Sequence, residues 1–536
     1  MRRFIWNMLV AVAASTIFGI GSVESTIAQP GPLDVSGEIN GAPYRIVIPA
    51  DWNGTLLVFQ RGYTDKADHP GEIDNRNPTI TPPTAGIRDA LLARGYALAG
   101  SARKENGYSV EDGLDDVVAL ISYFRENVAQ PTRTILWGVS MGGLITLETA
   151  ERNGGAFDGY LAVVALGAGA PRFFDHLLVL RLAYDVTFGM PASWGTPGDV
   201  RDDLDFEAEV LPILSAQASD PANFGRFEFI RLVAGIPGSG IEPPPGYFPG
   251  ALIDLPFFLA TEAEAELERR VGGPVAQNIS HRYALTSEEK SYLASLGVDA
   301  DPLLQAMNAR RNIAAQPGQR SYIKNFADFS GLIKHPVLTV HTAVDQAAPV
   351  TDESAYRNTV AAAGRDELLV QVFTTGVGHG GVTTTQYVTA IRAIDEWVRT
   401  GIRPSPDVFT ALAGFIPGFE PPAWPQPLTA EVSSSLASLR RVPTPFALGQ
   451  NQPNPFLRST TIAFHLPVAS RARVDVFDVL GRRIRTLAER DLPAGPHRIE
   501  WDRRCDDGAE ARPGVYFYRI GAGAFREQGK VILLPE

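Results

Sequence analysis

The sequence predicts a doubly wound α/β domain interrupted by a mainly helical insertion and followed by a separate all-β domain. Three observations predict it. Strand-like and helix-like segments alternate over residues 44–166 and again over 336–400, as in a mainly parallel sheet with helices on both faces. Residues 168–334 break that rhythm with helical patches and a Pro/Gly-rich piece, GIPGSGIEPPPGYFPG. Beyond a Pro/Ser-rich stretch the texture becomes β-branched and aromatic, with turn residues at short intervals.

Taken in order, residues 1–28 carry Arg2 and Arg3, an apolar stretch to about residue 20, and the small-residue site Thr26-Ile27-Ala28. This is the pattern of a cleaved signal peptide, which leaves no stable membrane span behind. Residues 44–48 and 55–59 read as strands joined through the Asn53-Gly54 turn, followed by a helix at 84–94 and a strand at 96–99. Leu114, Val117, Val118, Ile121, Phe124 and Val128 recur mostly three or four apart and place one apolar face on a helix. A strand at 134–136, a helix at 141–152 and a strand at 160–166 complete the first half. The insertion, with helical patches at 173–186 and 258–270, reads as a cap over the domain's own active site. The α/β pattern resumes with a strand at 336–341, a helix at 352–363, a strand at 368–373 and a helix at 385–400.

The expected organisation is therefore a signal peptide at 1–28, an α/β domain at 29–415 with its cap at about 168–334, a linker at 416–445 and a β domain at 446–536. In the last, 460–465, 473–477, 497–501 and 515–520 read as strands, with turns at Gly481, 491–495 and 506–508, which suits an immunoglobulin-like sandwich. The 536 residues carry a net charge of −12, so phosphate-bearing partners, nucleic acid or anionic membrane, would be repelled. The single cysteine, Cys505, excludes an internal disulfide and a metal site built on several cysteines.

One short stretch carries chemistry. Gly138-Val139-Ser140-Met141-Gly142 is weak as a motif alone, but a strand enters it and a helix leaves it, which would hold the Ser140 hydroxyl above the sheet at a helix N-terminus. A serine attacks only when a base takes its proton, so the reading demands a histidine oriented by a carboxylate, in the order serine, acid, histidine. Asp345 in HTAVDQAAPV and His379 in TTGVGHGG each follow a strand, at the end where open α/β sheets bind ligands. A histidine base gives kcat/KM an acid limb near the ordinary value of about 6.5. The competing residues read differently: His335 and His341 flank or end a strand and suit packing, and Asp352 suits a cap on the following helix. His69, His176 and His281 lie outside the chain order, while His465 and His497 belong to the tail. For a developing oxyanion, the backbone N–H groups of Met141 and of Tyr63, in the loop QRGYTD, are the candidate donors.

YRIVIPADWNGTLLVFQRGY, WGVSMGG, HTAVDQAAP and GVGHGG together resemble the α/β-hydrolase superfamily over about residues 38–402, closest to exported esterase-like members with a large cap. The resemblance implies Ser140 as nucleophile, His379 as base, Asp345 as its orienter, and no cofactor or metal. Many relatives carry His-Gly where this chain has Arg61-Gly62. The tail segments GQNQPNPFLRSTTIAFHLP, VDVFDVLGRRIRTL, LPAGPHRIEWD and GVYFYRI resemble the C-terminal sorting domains of type IX secretion and FlgD-like immunoglobulin modules. That resemblance implies secretion machinery as a partner and the medium or cell surface of a Gram-negative bacterium as destination; a carbohydrate-binding or adhesive sandwich is the alternative. The function expected is a secreted serine hydrolase acting on a small or medium carboxylic ester. A serine peptidase, a polyester depolymerase and a scaffold without activity used for adhesion are the other readings.

Overall fold

The computed structural model describes residues 31–64, 80–237, 254–424 and, apart from 449–450, 452, 467–468, 480, 494 and 524, residues 447–534. The expected signal peptide, His69 and most of the expected linker lie outside the described residues.

The main sheet of the first unit is built from β1 (Leu33–Ile39), β2 (Ala42–Ile48), β3 (Thr55–Gln60), β4 (Ala97–Ser101), β5 (Arg133–Val139), β6 (Gly159–Val163), β7 (Val337–Val344) and β8 (Leu369–Val377). They form one eight-stranded sheet in the order β1-β2-β4-β3-β5-β6-β7-β8. The pairs from β4 through β3 to β8 are parallel, and only β1 and β2 join antiparallel. This arrangement fits the α/β-hydrolase fold. β1 escapes the sequence reading because LDVSGEI is a half-exposed edge strand with little apolar patterning.

Helices α1 (Ala85–Leu92), α2 (Val110–Asn127) and α3 (Met141–Arg152) cross over between strands of the first half. The cap contributes α4 (Ala170–Phe188), α5 (Leu211–Ala218), α6 (Phe224–Val233), α7 (Glu264–Val271), α8 (Ser287–Ser295), α9 (Ala300–Ala309) and α10 (Pro317–Ala327), and α11 (Thr351–Ala362) and α12 (Thr384–Thr400) close the second half. Two layers follow from the period of two along a strand. Leu56 and Val58 point to the face covered by α2, α3 and α11, packing with Ile121, Leu147 and Val360. Leu57 and Phe59 point to the other face, against Ile87, Ile391 and Trp397 of α1 and α12. With both faces covered, β3, β4 and β7 are buried along their whole length, which is why their sequences are nearly continuous apolar runs.

The cap is mainly helical, as expected. Its axis is α4, buried nearly all round, with the fully buried Arg181 paired to Glu264. It grips the sheet domain through α7: the Glu266 carboxylate accepts the Tyr108 N–H at 2.7 Å, and Arg270 donates to Glu105 and to the Asn106 carbonyl, each at 2.8 Å. The loop after β4 is therefore held between cap and sheet.

The C-terminal unit holds β9 (Thr460–Leu466), β10 (Ser470–Asp478), β11 (Arg483–Leu492), β12 (Gly495–Trp501), β13 (Gly514–Ala522) and β14 (Phe525–Leu533). In one antiparallel sheet β9 lies between the two-residue strand Ala447–Leu448 and β12; the other runs β11-β10-β13-β14. Ile462 and Trp501 from the first meet Val474, Tyr518 and Val531 from the second in one hydrophobic cluster. The first residues of the expected linker, 416–424, lie against the α/β domain: the Ile416 N–H bonds to the Phe373 carbonyl, the Phe419 ring meets Phe373, and Trp424 meets His176 of the cap. Among the described residues no helix is long and apolar enough to cross a membrane.

Candidate active site

Ser140 stands between β5 and α3 with φ 58° and ψ −125°, in the left-handed half of backbone space. A non-glycine residue there costs about 1–3 kcal/mol, a strain that concentrates at functional sites. The turn is so tight that its glycines have no room for a side chain. A Cβ on Gly138 would sit 2.2 Å from the Gly142 carbonyl oxygen, and one on Gly142 would sit 2.2 Å and 2.5 Å from the carbonyl oxygens of Gln60 and Arg61. The Ser140 N–H anchors the turn to the Val163 carbonyl at 2.9 Å. Ser140 thus precedes the first N–H of α3, that of Met141, where a helix has no internal acceptor and its dipole favours negative charge.

Asp345 follows β7 and is fully buried. Its Oδ1 accepts the N–H groups of Ala347 and Ala348, each at 2.9 Å, and its Oδ2 lies 2.8 Å from His379 Nδ1. His379 sits in the loop after β8, which doubles back so closely that a Cβ on Gly376 would lie 2.0 Å from the Gly381 carbonyl oxygen. That loop is tied to β7 by the Gly378 N–H on the Val344 carbonyl at 2.7 Å. Burial alone would raise the Asp345 carboxyl, but the His379 charge and hydrogen bond hold it below its ordinary value. Burial likewise opposes charge on His379, and the Asp345 carboxylate outweighs it, so the imidazole is raised.

Ser140 and His379 line one pocket beneath the cap, with about 410 Å³ of empty space including its mouth. The remaining wall is apolar and aromatic: Tyr63 and Tyr108 come from sheet loops, Met141 from α3, Phe173 and Phe174 from α4, and Leu259 from the cap. Tyr108 meets Phe174 edge to face with centroids 5.2 Å apart, and Tyr63 meets Phe258 at 5.8 Å. The loop carrying Tyr63 passes directly over the elbow, since a Cβ on Gly62 would lie 3.3 Å from the Ser140 Cβ.

No family model matches the chain. One curated protein, the o-phthalyl amidase of Xanthobacter agilis, is 28% identical over 129 residues, which span 24% of this chain and 25% of the amidase. Among solved structures, an esterase from Aspergillus oryzae aligns with 69% of this chain and 80% of its own at 14% identity and a TM-score of 0.32. An esterase from Pyrococcus furiosus aligns with 69% of this chain and 91% of its own at 12% identity and 0.33. The dipeptidyl peptidase 4 of Porphyromonas gingivalis aligns with 68% of this chain and 35% of its own at 12% identity and 0.31. The fold assignment above rests on the strand order itself.

The three residues picked from sequence are thus placed at one end of the sheet, two of them hydrogen-bonded to each other and two lining one pocket. The competing residues lie elsewhere. His341 is buried within β7, with Nδ1 2.9 Å from the Thr342 carbonyl oxygen. His176 and His281 are buried in the cap, and burial pushes both down to about 4. His497 Nε2 meets the Pro493 carbonyl at 2.8 Å. Asp352 corrects the sequence reading: it is no helix cap, because Val350 takes that position without a side-chain bond and Asp352 is fully buried in the first turn of α11. Burial, then the neighbouring Glu353 carboxylate, raise its carboxyl well above the ordinary range. One residue was missed altogether. Arg103, fully buried after β4, donates from Nη1 to the Arg61 carbonyl and from Nη2 to the Gly62 carbonyl, both at 2.8 Å.

The raised His379 also corrects the expected pH profile. A base that works only when neutral loses activity as the pH falls through its own pKa, so the acid limb of kcat/KM should lie above the ordinary 6.5 rather than at it. The stability linked to this proton has the opposite sense: it is complete below the unfolded value and is lost as the pH rises through the higher folded one. A pH–rate profile on a neutral ester checks the first statement; a limb at or below 6.5 would contradict it.

Proposed function

We propose that this chain is a serine hydrolase that cleaves carboxylic esters through an acyl-enzyme. The observation that carries the reading is the Asp345–His379 hydrogen bond, with His379 and the strained Ser140 elbow lining one pocket. Ser140 Oγ attacks the substrate carbonyl carbon while His379 takes the hydroxyl proton, and Asp345 stabilises the imidazolium so formed. The carbonyl π pair moves onto oxygen, where the N–H groups of Met141 and Tyr63 receive the charge. Collapse expels the alcohol, which takes the proton from His379; water then repeats the sequence on the acyl-enzyme.

The aromatic, cap-covered pocket favours an apolar acyl group of small or medium size over a polymer, which needs an open groove. Amide cleavage is the second reading, favoured by the quarter-length likeness to an amidase. A panel of nitrophenyl esters of rising chain length, feruloyl esters and acyl or peptidyl anilides tests both. The expected result is turnover of esters with short aliphatic or aromatic acyl groups; anilide turnover at equal or higher kcat/KM would make the amidase reading the better one, and no turnover with no fluorophosphonate labelling would end both.

The proposed setting is the medium or cell surface of a Gram-negative bacterium. The likeness of residues 1–28 to a signal peptide and of 446–536 to a type IX sorting domain supports it, with the two sheets of that unit read as an immunoglobulin-like sandwich that acts as an address.

A further inference from the structure

We infer that Arg103 is a positioning residue for the oxyanion site, holding two successive peptides of the loop over Ser140 in the orientation that presents the Tyr63 N–H. This rests on the serine hydrolase reading above. Three features single out Arg103. Its guanidinium is fully buried, and among the described residues no carboxylate lies in ion-pair contact with it, an arrangement that costs folding stability unless something else is gained. Its backbone takes φ 63°, the left-handed region that a long side chain rarely adopts. Its two terminal nitrogens spend their bonds on adjacent carbonyls, those of Arg61 and Gly62, in a bidentate clamp that only the planar fork of arginine can make.

The geometry of the peptide bond converts this clamp into an orientation of donors. In a trans peptide the C=O and the following N–H point in opposite directions. With the Gly62 carbonyl turned onto Arg103, the Tyr63 N–H of the same plane is turned away from it, and the Gly62 N–H is fixed in the same way by the Arg61 carbonyl. Gly62 is the residue that borders Ser140, and the Arg61 carbonyl also lies against Gly142 of the elbow, so clamp, loop and nucleophile form one packed unit. A cation on the carbonyl side also polarises each peptide and strengthens the N–H as a donor, because bonds in a chain reinforce one another at low dielectric. Burial depresses the guanidinium to about 9, with Arg61 nearby adding to the effect, which still leaves it charged at neutral pH. The loop that carries Arg103 is itself pinned by Glu266 and Arg270 of the cap, so seating of the cap and alignment of the oxyanion donors share one segment.

Arg103→Lys and Arg103→Met in the full-length protein test the inference. A lysine keeps the charge but bonds as a point, so it should restore part of what methionine removes. The measurements are kcat and KM on a soluble ester, the affinity of an aryl trifluoromethyl ketone, and the affinity of the corresponding methyl ketone as ground-state competitor. The trifluoromethyl ketone forms a bond from Ser140 Oγ to its carbonyl carbon; the π pair becomes the oxyanion and the serine proton passes to His379. Loss of one well-aimed oxyanion donor costs about 10²–10³ in kcat. Arg103→Met should therefore lower kcat by about that factor and weaken the trifluoromethyl ketone in proportion, with KM and methyl ketone affinity moving by less than about threefold. A kcat within about threefold of wild type in either folded variant, or a fall in kcat without weakening of the trifluoromethyl ketone, overturns the positioning role. If methionine prevents folding, the lysine variant decides by the same criteria, since it leaves no uncompensated hole. Failure of the hydrolase reading itself is recognised separately, by wild-type protein that neither turns over the ester nor labels with a fluorophosphonate.

Discussion

Ser140→Ala leaves the protein folded and lowers kcat by about 10⁴-fold or more, because nucleophile, base and orienter act as a unit and removing one forfeits most of what the three achieve together. Folding should be indifferent to the change for reasons visible at the elbow. The Ser140 side chain makes no capping bond to the helix it precedes. Alanine keeps the Cβ and therefore the same backbone strain at φ 58°, neither relieving nor adding to it. The turn is fixed instead by contacts the substitution does not touch: the Ser140 N–H on the Val163 carbonyl and the close approach of Gly138 to Gly142. Thermal unfolding of the variant should therefore match the wild type while its labelling by a fluorophosphonate disappears. A folded variant that keeps a tenth of wild-type turnover would remove Ser140 from the nucleophile's role.

The elbow was legible because its determinants are local. A buried strand, a turn of small residues and a helix occupy some 20 consecutive residues, and each announces itself through period, glycine or helix propensity. Asp345 and His379 were legible for a weaker reason: each follows an apolar run, and parallel topology gathers the carboxyl ends of such runs at one edge of the sheet. What sequence could not carry is tertiary approach. Arg103 looks like any arginine after a strand until the carbonyls of Arg61 and Gly62, some forty residues earlier, are brought onto its guanidinium. Asp352 looked like a cap because an acidic residue at a helix start usually is one; its burial comes from packing that no local pattern records. The cap resisted derivation for a related reason. α4 is buried nearly all round, so it shows no apolar stripe from which a packing direction could be read.

Asp345→Asn should be nearly as damaging as loss of the nucleophile, about 10⁴-fold in kcat, although it alters a group that never touches substrate. The reason is the polarity of one hydrogen bond. Asp345 Oδ1 is committed to the N–H groups of Ala347 and Ala348, so an asparagine satisfies them by keeping its oxygen there and must present its NH₂ to His379. His379 Nδ1, 2.8 Å away, then becomes the acceptor, which places the ring proton on Nε2. A ring protonated at Nε2 cannot take the Ser140 proton. The same substitution removes the influence that holds His379 above 6.5 and leaves burial, which acts the other way. The acid limb of the residual activity should therefore shift to lower pH, a change that mere loosening of the site would not produce. Asp352→Asn is the control, being seven residues on and equally buried. Burial and the neighbouring Glu353 carboxylate both raise its carboxyl, disfavouring the charge that an amide also lacks, so kcat should fall by less than about tenfold. If instead Asp352→Asn proves the severe variant and Asp345→Asn the mild one, the acid of the site is Asp352 and the hydrogen bond between Asp345 and His379 is structural.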